Sequence, residues 1–220
     1  MAKNAQAVDT TAQDVDQAIS RTEQFVENNR NIIIYCLIGI IVVVAAIWGW
    51  GVYRSKQNAA AEEAIWPAQF LFEAQDYEQA LAGFEDVIDM YGSTKAGNIA
   101  RAYAGLCAKE LGRYDDAVDY LKKFSGDDKV IAPAIQSALG DCLVNQENAD
   151  YVAAARAFEK AASMSESAEY SPIYLRKAGL AYEAAGDKAA ALKAYTAIKE
   201  QWLETVIGQS IDKYIYRVQQ

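Results

Sequence analysis

No histidine occurs anywhere in the 220 residues. That absence removes the commonest general base, the commonest activator of a nucleophile and the commonest zinc ligand. Proline is nearly missing too, with three in the whole chain, so little in the composition opposes helix. The cysteines, Cys36, Cys107 and Cys142, form no CxxC pair and no even-numbered framework. They therefore supply neither a disulfide scaffold nor metal-ligand spacing. No glycine-rich phosphate loop is present. The remaining carboxylates and lysines form no recognisable catalytic constellation, and the acid runs Asp115–Asp116 and Asp127–Asp128 read as turns and caps. The chain reads as a non-enzyme with no cofactor, metal or small-molecule substrate.

Basic charge is also scarce where it would matter for nucleic acid. The net charge is −9, and the first 56 residues are neutral, so the whole acidic excess falls on residues 57–220. An acidic domain repels phosphate backbones, which argues against a nucleic-acid partner.

One stretch lacks charge altogether. Asn31 to Tyr53 gives 23 residues without Asp, Glu, Lys or Arg, twelve of them Ile, Leu or Val. As a helix the stretch would span about 34 Å, enough for a hydrocarbon core of about 30 Å. Tyr35 lies near one end, Trp48, Trp50 and Tyr53 lie near the other, and Arg30 and Arg54 flank the run. A cleaved signal peptide does not fit, because about 30 polar residues precede a run longer than a signal core. A buried core helix of this composition would not be bracketed by arginines. Residues 31–54 are therefore expected to cross a membrane once. Lys3, Arg21 and Arg30 precede the span while Arg54 and Lys56 follow it, a bias too small to set its orientation. Ala45 and Gly49 form a small-xxx-small pair that would let a second membrane helix approach. In residues 1–30, Val15, Ile19, Thr22 and Val26 fall at helical spacing, which fits either a short amphipathic helix or a solvated tail.

Residues 55–220 repeat. Ala80, Ala117, Ala154 and Ala191 are each 37 residues apart. Four residues after them stand Phe84, Leu121, Phe158 and Tyr195; three before stand Tyr77, Tyr114, Tyr151 and Lys188. Upstream, Gly105, Gly140 and Gly179 mark a second helix in each of the later units, and Gly112 and Gly186 sit where that helix should end. The first unit carries Ala68 and Gln75 at the equivalent places, with Pro67 expected to kink its helix. Ser171 and Pro172 read as an N-cap and first turn. Each unit is thus a helical hairpin with a small residue where its helices touch and a larger one filling the gap to the next hairpin. Such hairpins must stack to bury their apolar faces. Leu203, Ile207, Ile211, Tyr214 and Val218 predict one terminal helix that covers the last of them. The expected class is all-α: one transmembrane helix, then a solenoid of about four hairpins and a C-terminal capping helix.

These residues resemble the tetratricopeptide-repeat (TPR) family. Its small–aromatic–alanine–aromatic signature is matched by Gly105, Tyr114, Ala117 and Leu121, and by Gly179, Gly186, Ala191 and Tyr195. The spacing of 37 exceeds the family's usual period of about 34. By phase, the surface lined by the first helices includes Trp66, Gln69, Phe72, Tyr103, Leu106, Val144, Arg176 and Leu180, where an extended chain or a partner's helix could bind. The lysine–asparagine–arginine clamp of the family's co-chaperones is missing, since its places hold Ile65, Gln69, Tyr103, Ala134 and Ala138. Cys107 and Cys142 are expected as small buried residues rather than a redox pair.

The stretches YGSTKAGNIARAYAG and SPIYLRKAGLAYEAAGDKAAALKAYTAIK, set behind a single span, are similar to the YfgM-like proteins of Gram-negative bacteria. That resemblance implies an ancillary subunit of the SecYEG translocon in the inner membrane. It implies a cytoplasmic N-terminus and a periplasmic repeat domain beside a chaperone or isomerase that meets newly translocated proteins. A scaffold for another envelope assembly and a cytoplasm-facing adaptor are the alternative readings.

Overall fold

The computed structural model describes residues 27–220, and the elements from Arg30 onward are helices α1 to α10. The chain divides into two units, Met1–Ser55 and Lys56–Gln220. The amphipathic pattern at Val15, Ile19, Thr22 and Val26 lies outside the described residues.

In the first unit, helix α1 (Arg30–Glu73) carries the apolar run. Its described side chains as far as Ser55 are all exposed, Ile41 by 66% and Trp48 by 73%. A helix that is apolar on every face has no side suited to water, and this one is long and apolar enough to span a membrane. The helical segment continues through Pro67 to Glu73, so the proline does not end it. Pro67 is exposed while its neighbours Ile65 and Ala68 are buried. Water can therefore satisfy the carbonyl left without its donor.

The second unit is a series of hairpins. The end of α1 pairs with α2 (Tyr77–Tyr91), α3 (Lys95–Glu110) with α4 (Tyr114–Lys123), α5 (Ile131–Asn145) with α6 (Tyr151–Ser165), and α7 (Ser171–Ala184) with α8 (Lys188–Gln201). The alanine column Ala80, Ala117, Ala154 and Ala191 is fully buried in all four. The next column faces inward as well: Phe84, Leu121, Phe158 and Tyr195 are at most 3% exposed. Three of these large side chains lie against the glycine of their own hairpin, rather than only toward the next one as the sequence suggested. A methyl group placed on Gly105, Gly140 or Gly179 would sit 2.5, 2.6 or 2.2 Å from Leu121, Phe158 or Tyr195. Glycine is required because a large partner ring or branched chain occupies the space of its Cβ. Helix α3 shows why the solenoid uses so much alanine. Ala100, Ala104 and Cys107 enter the core shared with α1 and α2, while Ala102 and Ala108 enter the core shared with later hairpins.

The turns follow one plan with one exception. Gln75, Gly112 and Gly186 are left-handed, with φ of 62°, 74° and 80°. The following amides donate back across the turn, from Asp76 to Leu71, Arg113 to Ala108 and Asp187 to Tyr182, at 2.8–2.9 Å. In the third hairpin a longer loop does the same work, and the Asp150 amide reaches the Leu143 carbonyl at 3.1 Å. Asp76, Asp150 and Asp187 then cap α2, α6 and α8 by accepting from Gln79, Ala153 and Ala190. Asp128 serves α5, accepting from the amides of Val130, Ile131 and Ala132. Those amide donors hold its carboxyl below the usual range.

Two expectations change at the C-terminal side. Ser171 is not an N-cap but a buried bolt: it accepts from the Ser167 amide and donates to the Ala162 carbonyl, joining α7 to the end of α6. The single terminal helix is two pieces, α9 (Val206–Gln209) and α10 (Asp212–Gln219), with Leu203 half exposed in the loop before them. Ile211 and Val218 are buried, and α10 packs on α8, so the last hairpin is covered. The second unit, Lys56–Gln220, is a TPR-like helical-hairpin solenoid.

Candidate interaction surface

The eight residues expected on the first-helix face separate into two groups. Phe72 and Tyr103 come together with ring centroids 5.1 Å apart in an edge arrangement, and Tyr103 stacks on Phe84 at 5.0 Å. Tyr77 closes the cluster at 5.6 Å from Phe72. These two rings join the first hairpin to the second. Leu106 and Val144 are half-buried against the larger core, and Gln69 and Arg176 are also half-buried. Trp66 and Leu180 are exposed, by 69% and 41%. On the apolar helix, Ala45 and Gly49 are exposed, and a Cβ on Gly49 would meet nothing within 4 Å.

Sequence reasoning missed Phe70. It lies one turn after Trp66 on α1 and is 72% exposed. The four-residue spacing of two aromatics was the available signal. The repeat phase puts Phe72 on that face instead, whereas the structure turns its ring toward Tyr103. Glu62, Glu63 and Glu73 are exposed on the same helix, so the Trp66–Phe70 pair has an acidic surround.

Between the third and fourth hairpins a polar link crosses the first helices. The Lys177 ammonium donates to both Asp141 carboxylate oxygens at 2.9 and 2.8 Å and to Ser137 Oγ at 3.4 Å. It also lies 5.3 Å from the centre of the Phe158 ring. At the far end Glu183 accepts two bonds from Arg217 and one from Tyr195. Burial pushes the Glu183 carboxyl up, but the Arg217 and Tyr195 donors outweigh it and hold it below its ordinary range. Both links tie neighbouring elements together and leave no unpartnered group aimed at a ligand.

The chemistry available to this surface is limited. Cys107 and Cys142 are free and fully buried. Burial pushes their thiols up to about 12 and about 11, so neither supplies a thiolate near neutral pH. Among the described residues no group of His, Cys, Asp and Glu gathers where a metal could be held. What the surface offers is exposed aromatic and aliphatic area edged by charge, the material of protein contacts.

Comparison with known proteins agrees with this geometry. The tetratricopeptide repeat family model matches residues 100–126 and 174–202. Those are the second and fourth hairpins, the two with their glycines in phase. No curated protein sequence matches the chain. Among solved structures, the nearly identical TPR-like repeats of a putative kinesin light chain from Podosopora anserina align with a TM-score of 0.54 at 15% identity, covering 73% of this chain and 86% of that one. Their Q17M variant gives 0.54 at 14% identity over 73% and 85%. The structure of MamA aligns at 0.49 with 18% identity over 69% and 92%. At these identities the likeness to the kinesin light chain repeats concerns the fold alone.

Proposed function

We propose that the chain is a non-catalytic, membrane-anchored adaptor of the bacterial inner membrane. Its N-terminus is cytoplasmic and its repeat domain periplasmic. The domain works beside the SecYEG translocon and a periplasmic chaperone on newly translocated proteins. The observation that carries the adaptor reading is the sequence of parts: an apolar helix exposed on every described face, then a hairpin solenoid that displays Trp66 and Leu180. The address is supported by the likeness of residues 91–105 and 171–199 to the YfgM-like proteins. Residues 1–30, 31–54 and 55–220 are the proposed tail, anchor and binding domain. Ala45 and Gly49 are the proposed contact with a neighbouring membrane helix. Trp66, Gln69, Arg176 and Leu180 are the proposed contacts with client or chaperone. Phe72, Tyr103, Leu106 and Val144 support that face from behind.

Native purification in mild detergent followed by mass spectrometry tests the partner. SecYEG components are expected with the wild type and should be depleted by Gly49→Leu, whereas Trp66→Ala should deplete the chaperone or client and leave SecYEG. Recovery of a different envelope assembly, with no translocon component, would overturn the address while leaving an adaptor. Protease added to intact spheroplasts tests orientation, since a periplasmic domain is cut and a cytoplasmic one survives.

A further inference from the structure

Outside the first-helix face, α4, α5 and α6 enclose an open groove of about 320 Å³. Its floor is apolar, formed by Leu139 and Leu143 of α5 and Ala157 of α6, all at least nine-tenths buried. Val152, 40% exposed, stands at one end. Three cations rim it: Lys122 on α4, and Arg156 and Lys160 on α6. In a chain of net charge −9 such a cluster runs against the average.

Ion pairing within the fold does not account for these cations. None forms an ion pair with a described residue. Lys122 lies in the last turn of α4, where a helix end favours a positive charge. That account fails for Arg156, which sits in mid-helix. Arg156 and Lys160 are four residues apart on one face of α6, a like-charge spacing that costs a helix about 0.2–0.5 kcal/mol. The acid lining the groove, and one adjacent to Lys160 in sequence, have other partners. Asp150, the one acid lining the groove, caps α6 through the Ala153 amide. Glu159 accepts from the Tyr182 hydroxyl.

We infer that this groove docks an acidic peptide segment of another polypeptide, carboxylates against Lys122, Arg156 and Lys160 and an aliphatic side chain on Leu139 and Leu143. Charge complementarity selects the acidic partner, and the apolar floor selects a peptide over a simple polyanion. The volume lies at the low end of the range for ligand pockets, so it takes one or two side chains rather than a folded domain. The groove is separate from the proposed first-helix surface, and failure here leaves that surface untouched.

The test uses the full chain in detergent and a short fluorescein-labelled peptide of alternating glutamate and leucine, read by anisotropy. Saturable binding that weakens as salt rises is expected. The double variant Arg156→Glu/Lys160→Glu should weaken it about tenfold or more, with helicity by circular dichroism unchanged. Val152→Asp, at an exposed position, should weaken it too. Lys193→Glu on α8 makes the same kind of charge change elsewhere and should leave affinity within about twofold. Equal loss from Lys193→Glu would overturn the site, because the effect would then be the overall field. Equal binding of inorganic polyphosphate, or retention by the double variant, would overturn it as well. So would self-association that Arg156→Glu/Lys160→Glu abolishes and the peptide cannot compete, since the occupant would then be a second copy of this chain.

Discussion

A methyl group on Gly179 would lie 2.2 Å from Tyr195 Cε1, and Tyr195 is fully buried, so its ring has nowhere to retreat. Gly179→Ala should therefore overpack the fourth hairpin and cost about 1–3 kcal/mol in urea denaturation. Gly186→Ala makes a different comparison. Nothing lies within 4 Å of its Cβ position, but φ is 80°, so the cost is backbone strain of about 1 kcal/mol. A larger loss at Gly186 than at Gly179 would mean that the turn, rather than the glycine–aromatic contact, fixes the hairpin. The thiols give a second test at this scale. With Cys36 replaced by serine, native protein at neutral pH should leave Cys107 and Cys142 unlabelled by a thiol-specific disulfide reagent, with both reacting in denaturant. The glycine phase was legible because one spacing recurs. The partner of each glycine was less so, because a large residue one turn beyond an alanine can face either its own hairpin or the next.

The second helices begin on a recurring signal that the large columns obscured. Asp76, Arg113, Asp150 and Asp187 share the 37-residue phase, each one place before the Tyr or Lys column, and all but Arg113 cap the helix that follows. An acid before an apolar-periodic segment is a start signal in its own right. Arg113 gives up the cap and instead makes a two-pronged bond to Glu78 at 2.8 and 2.9 Å, tying α4 to α2. Asp150→Ala should cost about 1 kcal/mol, read as a lowered midpoint in chemical denaturation, and Asp150→Asn should restore most of it. A loss with asparagine as large as with alanine would assign the effect to charge and not to the cap. Elements marked by apolar spacing alone were less legible. The pattern from Leu203 to Val218 predicted one helix, yet Thr205 starts α9, and a Cβ on Gly208 would lie 2.0 Å from the Trp202 carbonyl oxygen. The chain turns back on itself there while Ile207 and Ile211 keep their phase. Spacing records which side chains go inward and not where the backbone hydrogen bonds stop.

Across the repeat domain, stacking order was legible because each hairpin needs its neighbours, and a fixed period states that need directly. The proposed binding face was not. Whether Phe72 or Phe70 is exposed depends on where Tyr103 of the next hairpin lands, which no spacing within α1 reveals. The same nearest-neighbour logic makes a prediction about how stability is distributed. Ending the chain after Trp202 removes Ile211 and Val218, both buried, the Tyr214 ring 5.3 Å from Tyr195, and the Arg217 partner of Glu183. Two buried aliphatic side chains contribute roughly 1.5–3 kcal/mol each, so the fourth hairpin should lose about 4 kcal/mol. In a solenoid that loss is local, because α8 packs chiefly on its neighbours α7, α9 and α10. Hydrogen exchange on the truncated chain should therefore show protection falling across α7 and α8 while α2 and α3 keep theirs. An equal fall in α2 and α3 would mean that the hairpins unfold as one cooperative block, and that the cap stabilises the whole domain rather than its last repeat.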